Sequence, residues 1–169
     1  MQVENNLEQM PFGDVPNGAL AFTRVGNGVA LGIFATPDEE RRPVFLLNPT
    51  PSAAEPAVAG ARLLLANFAN DTCFVAANAV LRIDPTSATV DLRDYPPIGA
   101  VVHSPDGLVI VALDDDRQRG RIGYHLGTHA LVRPDLGAAL FYARWKIVVP
   151  NGPRDESILF EFGRAGGEP

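Results

Sequence analysis

A chain of 169 residues, 46% hydrophobic and 20% charged, holds one globular domain with enough apolar side chain for a sizeable core. Its formal charge of −6 speaks against generic binding to nucleic acid or anionic membranes. A single cysteine, Cys73, excludes an intrachain disulfide.

In chain order, residues 1–17 read as an N-terminal arm: polar, broken by Pro11, Gly13 and Pro16, and without period. Short apolar runs follow, separated by the chain's 16 glycines and 15 prolines. Ala19–Val25 and Val29–Thr36 flank Gly26-Asn27-Gly28, a hairpin signal. Pro43–Asn48 is a third strand, followed by the proline-rich loop Pro49–Pro56. Residues 57–69 are ambiguous. Ser52-Ala53-Ala54-Glu55 matches a capping box, but Pro56 and Gly60 oppose a helix, so a strand over Ala61–Phe68 is preferred. Thr72–Ala77, Val80–Ile83 and Ala88–Leu92 are further strands. Ile98–His103 and Leu108–Leu113 flank the turn Ser104-Pro105-Asp106-Gly107. The second of these is apolar on both faces and is predicted to be central and covered on both sides. Arg121–Val132, Ala138–Val149 and Ile158–Phe162 complete a domain over 18–162, and 163–169 form a C-terminal tail. The pattern predicts an all-β fold: an antiparallel sandwich or jelly roll, with a barrel as the alternative and extended arms at both ends. Both arms are expected to dock on another chain.

Alternation in the last third defines a candidate contact surface. Ile122, Tyr124, Leu126, Ala130 and Val132 share one face of their strand, and Trp145, Ile147 and Val149 share one face of theirs. The two strands are predicted to form a hairpin over 121–149 with a four-residue loop, Arg133–Leu136, which sets Tyr124 opposite Trp145 in the core and His125 opposite Arg144 outside. A slip of one residue would mix the two faces. The outer face then carries Arg121, His125, His129, Tyr142, Arg144 and Lys146, a basic strip on an acidic protein. It would suit an acidic partner, a phosphate or a neighbouring subunit; it is also simply what the wet face of a sheet looks like.

Other chemistry is sparse. His125 and His129 on one strand stand about 13 Å apart at ~3.3 Å per residue, too far to share a zinc ion. Asp114-Asp115-Asp116 lacks the spacing of a calcium loop. Cys73, in an apolar run, is expected to pack as a small hydrophobe. No nucleophile elbow, P-loop or dinucleotide fingerprint is present, and no cofactor is expected. Asn70-Asp71-Thr72 matches a glycosylation sequon without secretory context. Residues 1–6 lack the basic and apolar regions of a signal peptide, and no run approaches the ~20 apolar residues that span a bilayer. The expected location is therefore cytoplasm, or a virion. Abundant Ala, Gly, Pro and Arg, with Lys146 the sole lysine, suggest a high-GC bacterium or its phage.

Three functions fit. The leading one is a non-enzymatic structural or interaction protein, a homo-oligomer or subunit of a larger assembly such as a phage decoration or tail component. The second is a small-molecule or carbohydrate-binding barrel or sandwich with an aromatic-lined pocket, to which Phe22, Phe34, Tyr124 and Trp145 could contribute. The third is a hydrolase using Asp114–Asp116 with His103 or His125.

Overall fold

Runs of Val, Leu, Ile and Phe too short for helices pair into sheets, because only neighbouring strands can satisfy their backbone N–H and C=O groups. The computed structural model describes residues 7–25, 28–37, 42–47, 61–66, 71–90, 96–114, 120–133, 140–152 and 155–163. The strands are β1 (Leu7–Pro11), β2 (Leu20–Val25), β3 (Gly28–Phe34), β4 (Arg42–Leu46), β5 (Ala61–Ala66), β6 (Thr72–Ala76), β7 (Val80–Ile83) and β8 (Ala88–Val90). Then come β9 (Val101–Ser104), β10 (Gly107–Asp114), β11 (Gly120–His125), β12 (Leu131–Val132), β13 (Leu140–Tyr142), β14 (Trp145–Pro150) and β15 (Glu156–Phe162). Among the described residues the only helical pieces are two 3-10 turns, Phe12–Asp14 and Pro85–Ser87.

Twelve strands form one sheet in the order β1-β6-β2-β3-β4-β5-β10-β9-β13-β8, with β11 and β12 branching from β10. Three form a second, β15-β14-β7. The fold is all-β and nearly all antiparallel, as the sequence predicts; the exception is the parallel pair β5–β10. Strand β10 is the branch point. Along one edge it pairs with β11 from Val109↔His125 to Asp114↔Gly120. Its other edge is divided between β9, at Gly107 to Ile110, and β5, at Ala112 to Asp114. Val109, Ile110, Val111 and Ala112 are accordingly buried, which is why this run is apolar at every position.

The large sheet curls. Strands β4 and β11 are three places apart in its order, about 14 Å in a flat sheet at ~4.8 Å per strand. Yet the Phe45 and Tyr124 rings sit 5.3 Å apart. The main core lies inside this curl and against the small sheet, joining Leu20, Leu31, Ile33 and Phe45 to Ile110, Tyr124, Trp145, Ile147 and Val149. Trp145 pins the layers: its Nε1 donates to Gly99 O at 2.7 Å, and its ring packs on Phe160 and Phe162 of β15 at 5.2 and 5.8 Å.

Two sequence expectations are corrected here. The N-terminal arm is, from Leu7 onward, part of the domain. Strand β1 pairs with β6 from Leu7↔Ala76 to Pro11↔Thr72, and Phe12 and Val15 are buried in a second core behind β2, β3, β4 and β6. Pro11 is compatible with strand because β1 is an edge. Arg42 fastens this segment: its guanidinium donates to the carbonyls of Phe12 (3.1 Å), Gly13 (2.7 Å) and Val15 and to Asn17 Oδ1 (3.2 Å), and lies 5.3 Å over the Phe34 ring. Residues 1–6 and 164–169 lie outside the described residues.

The second correction concerns the hairpin expected over 121–149. Strand β11 stops at His125, turns, and pairs with β12 through Gly123↔Val132 and Tyr124↔Leu131. Strand β13 joins β8 and β9 in the large sheet, whereas β14 joins β7 and β15 in the small one. The chain changes sheet at Ala143-Arg144, where both amides bond Ser87, one to its carbonyl (3.3 Å) and one to its hydroxyl (3.0 Å). Tyr124 and Trp145 do share the core, but as residues of different sheets and not as a cross-strand pair. The ambiguous stretch contains a strand, β5, at Ala61–Ala66.

Replacing Trp145 by Ala should cost roughly 3–5 kcal/mol in urea unfolding, as for other large core truncations. Arg144→Ala, whose partners are the exposed Asp84 and Thr86, should cost under ~1 kcal/mol. Equal losses would contradict the placement of these neighbours.

Candidate functional site

The side chains that alternate inward from several strands do not close on one another everywhere. Leu20 and Ile33 face each other across β2 and β3. Leu81 and Ile147 face each other across β7 and β14. Between these pairs lies a cavity of about 550 Å³, completed by Ala76 of β6, the Ala77-Asn78-Ala79 turn, Ile83, Leu108, Tyr124, Leu126 and His129. Its size is that of a small-molecule site, and so is its character, an apolar lining with a few polar groups. Among the described residues those polar groups are Asn78, Tyr124 and His129, and no Lys, Arg, Asp or Glu lines it. Outward from Leu20 and Ala76, the next residues on the same strand faces are the paired Phe22 and Phe74. Phe74 is 44% exposed, so the apolar wall continues to the surface.

The polar end is built by a tight turn. His125 N donates to Ala130 O and His129 N to His125 O, closing the loop 126–129. His125 closes it from within. Its Nδ1 accepts from the amides of Gly127 and Thr128, both at 3.0 Å, so its other nitrogen, Nε2, carries the proton and donates to Asp106 O at 2.9 Å. That ring ties two turns together and has no nitrogen left for chemistry. His129 then takes a left-handed backbone, φ 60°, which is uncommon for a residue with a side chain. Thr36 N donates to its carbonyl at 2.8 Å. Its ring lies against Gly18, where a Cβ would come within 2.4 Å of Cε1 and where φ is +80°. Glycine is thus required there on both counts.

Tyr124 is 1% exposed, and burial raises its pKa well above that of a free phenol. Its hydroxyl lies 2.8 Å from His129 Nδ1, its one hydrogen-bond partner among the described residues, and donating there gives the buried hydroxyl hydrogen an acceptor it would otherwise lack. With Nδ1 accepting, the ring carries its N–H on Nε2. Among the described residues no hydrogen-bond partner of Nε2 is found.

The expected basic strip is not a continuous surface. Arg121 donates to Pro96 O, His125 is only 8% exposed, and His129 bonds Tyr124 at the cavity. Tyr142 is half-buried and packs on the main core. Arg144 pairs with Asp84 at 3.0 Å, and Lys146 with Glu156, which also meets Arg82 at 3.1 Å. The strip required β11 and β14 side by side, and they belong to different sheets. Of its residues only His129 reaches the cavity. Tyr124, its partner, is a core residue in the sequence pattern and one of the four aromatics that the sequence offers for a pocket lining; of those four it alone lines the cavity. The left-handed turn after His125 was legible only in Gly127-Thr128. His103 is exposed, and Asp115 and Asp116 lie outside the described residues. Cys73 is fully buried, its thiol donating to Thr23 Oγ1 at 3.6 Å. Burial raises its pKa, as befits a small hydrophobe.

The family described as "Uncharacterised protein y4lG" matches residues 73–166, more than half of the chain. The chain belongs to the Y4lG family. The matched stretch holds the whole small sheet, Tyr124 and His129, while Gly18, Leu20 and Ile33, on the opposite wall, lie outside it. No curated protein and no solved structure matches.

The Lys146 hydrogen bond holds the Glu156 carboxyl below the usual carboxylate range, with Arg82 adding to the pull. A carboxylate depressed in the folded state stabilises fully above its unfolded pKa, about 4.3, and that stability is lost as pH falls through the lower folded value. Wild type should therefore melt above Glu156→Gln at pH 7, and the difference should start to shrink as pH falls below about 4.3, the unfolded value. A difference that stays constant, or grows, as pH falls from 5 to the lowest pH at which the protein is still folded would contradict this.

Proposed function

We propose that the protein is a binding module that takes a small, mostly apolar molecule between its two sheets. The observation that carries the reading is the cavity of about 550 Å³, walled by aliphatic side chains of both layers. Apolar walls facing water in a cleft of that size forgo hydrophobic stabilisation, which an apolar ligand would supply by displacing the water. The polar groups that line it are too few for a sugar, whose many hydroxyls would go unmatched.

Assembly is the second reading. Leu7, Val80, Val90 and Ile158 stand exposed on β1, β7, β8 and β15, which end the two sheets' strand orders. Edge strands with outward apolar side chains are templates for pairing with another strand. A second copy of this chain is the simplest partner, in cytoplasm or in a particle such as a virion. Among the described residues no helix is long and apolar enough to cross a membrane.

The two readings separate cleanly. A fluorescent apolar probe should bind saturably with one site per chain. Ala79→Trp, at a half-buried lining position, should fill the space and weaken that binding at least tenfold without lowering the melting temperature. Probe binding that does not saturate, or that ignores Ala79→Trp, would overturn the cavity reading. Sedimentation of the same samples reports the assembly.

A further inference from the structure

We infer that His129 is the recognition group of the cavity and that it selects an uncharged apolar molecule bearing a carbonyl oxygen. This deepens the reading above and rests on it. Three observations converge. The first is the proton inventory. The buried Tyr124 hydroxyl has His129 Nδ1, at 2.8 Å, as its one partner among the described residues; donating its hydrogen there leaves the ring an N–H at Nε2 and no acceptor. The cavity thus offers a donor, and a ligand there must offer an acceptor.

The second is conformation. His129 holds a left-handed backbone at φ 60°, the turn around it is bonded to Thr36 and His125, and its ring stacks on Tyr124 with 28° between planes. Gly18 leaves room for the ring and for nothing more. Such an over-determined outlier fixes a side chain in place before any ligand arrives, which is what a directional hydrogen bond needs.

The third is charge. Among the described residues no cationic side chain lines the cavity. A carboxylate carried in would lose its hydration against one neutral N–H, a poor exchange. A ketone, ester or amide carbonyl loses far less and is satisfied by one donor. Asn78 at the turn can supply a second hydrogen bond. The apolar remainder of the ligand would lie along Leu20, Leu81 and Ile147, with Phe22 and Phe74 beyond for a longer chain.

The test compares three ligands of similar length by calorimetry: methyl hexyl ketone, the alkene in which a methylene replaces its oxygen, and octanoate. The ketone should bind about tenfold tighter than the alkene, the worth of one buried hydrogen bond, and octanoate should be the weakest. In His129→Asn, where asparagine tolerates the left-handed backbone, ketone affinity should fall to that of the alkene while alkene affinity stays within threefold. Nitrogen NMR of wild-type protein gives a readout independent of that variant's folding. His129 should show an Nε2–H tautomer, whose Nε2 resonance shifts with ketone and not with alkene. Ketone and alkene binding equally, with no such shift, would overturn the role of His129 and leave the cavity reading standing. Octanoate binding tightest would overturn the uncharged head group. Failure of all three to bind would overturn the cavity reading and this inference together.

Discussion

One face of a twelve-stranded sheet must be covered, and the sheet packed against it has three strands. The rest of the structure follows from that mismatch. Apolar residues alternate inward along β2, β3, β4, β6, β10 and β11, and each exposed side chain forgoes roughly 25 cal/mol per Å² of hydrophobic stabilisation. The large sheet responds by curling until Phe45 meets Tyr124, so that it covers much of its own face. The small sheet closes the remainder, held by Trp145, whose indole reaches Gly99 of the large-sheet side while its ring packs on β15. Where neither device reaches, the layers part over Leu20, Ile33, Leu81 and Ile147. The cavity is the residue of a covering problem, solved at the Trp145 end and left open at the other.

The open end is also where backbone geometry is most specialised. His125 spends both ring nitrogens on turns, which fixes the loop 126–129. That loop places His129 against Gly18 and Tyr124, and Thr36 anchors it to the end of β3. A small number of hydrogen bonds therefore joins the N-terminal third of the chain to the stretch shared with the Y4lG family. On the other face of the large sheet, among the described residues, Phe12 and Val15 supply the cover, held down by Arg42 through carbonyls and an aromatic ring. Both faces are thus closed by short, local devices.

Strand positions were legible in the sequence because Gly and Pro punctuate it. Val80–Ile83 coincides with β7, and Leu108–Leu113 falls within β10 and is covered on both faces. The turn at Pro105-Asp106 follows from Gly107, which adopts φ +135°. Partnerships were not legible. Alternation assigns faces within a strand but says nothing of which strand lies beside it, so β11 and β14, each read correctly for Tyr124 and Trp145, were joined across a sheet boundary. The break at Ala143-Arg144 carries no Gly or Pro; it is made by Ser87, far away in the chain. The same limit hid the site. Tyr124 looked like core, or pocket wall, and is both, while His129 looked like solvent face. Only the turn at Gly127 brings the two within hydrogen-bonding distance. The N-terminal segment misled for the opposite reason: its polar composition outweighed Phe12 and Val15, whose burial depends on Arg42.

The central claim is that the two sheets leave a stable apolar cleft between them, and xenon reports this without assumptions about ligand chemistry, because it settles in apolar space. A crystal structure under xenon pressure should show the atom between Leu20, Leu81, Leu126 and Ile147, with side chains unmoved. Sheets closed on one another there, with those side chains in contact and no xenon between them, would contradict the account.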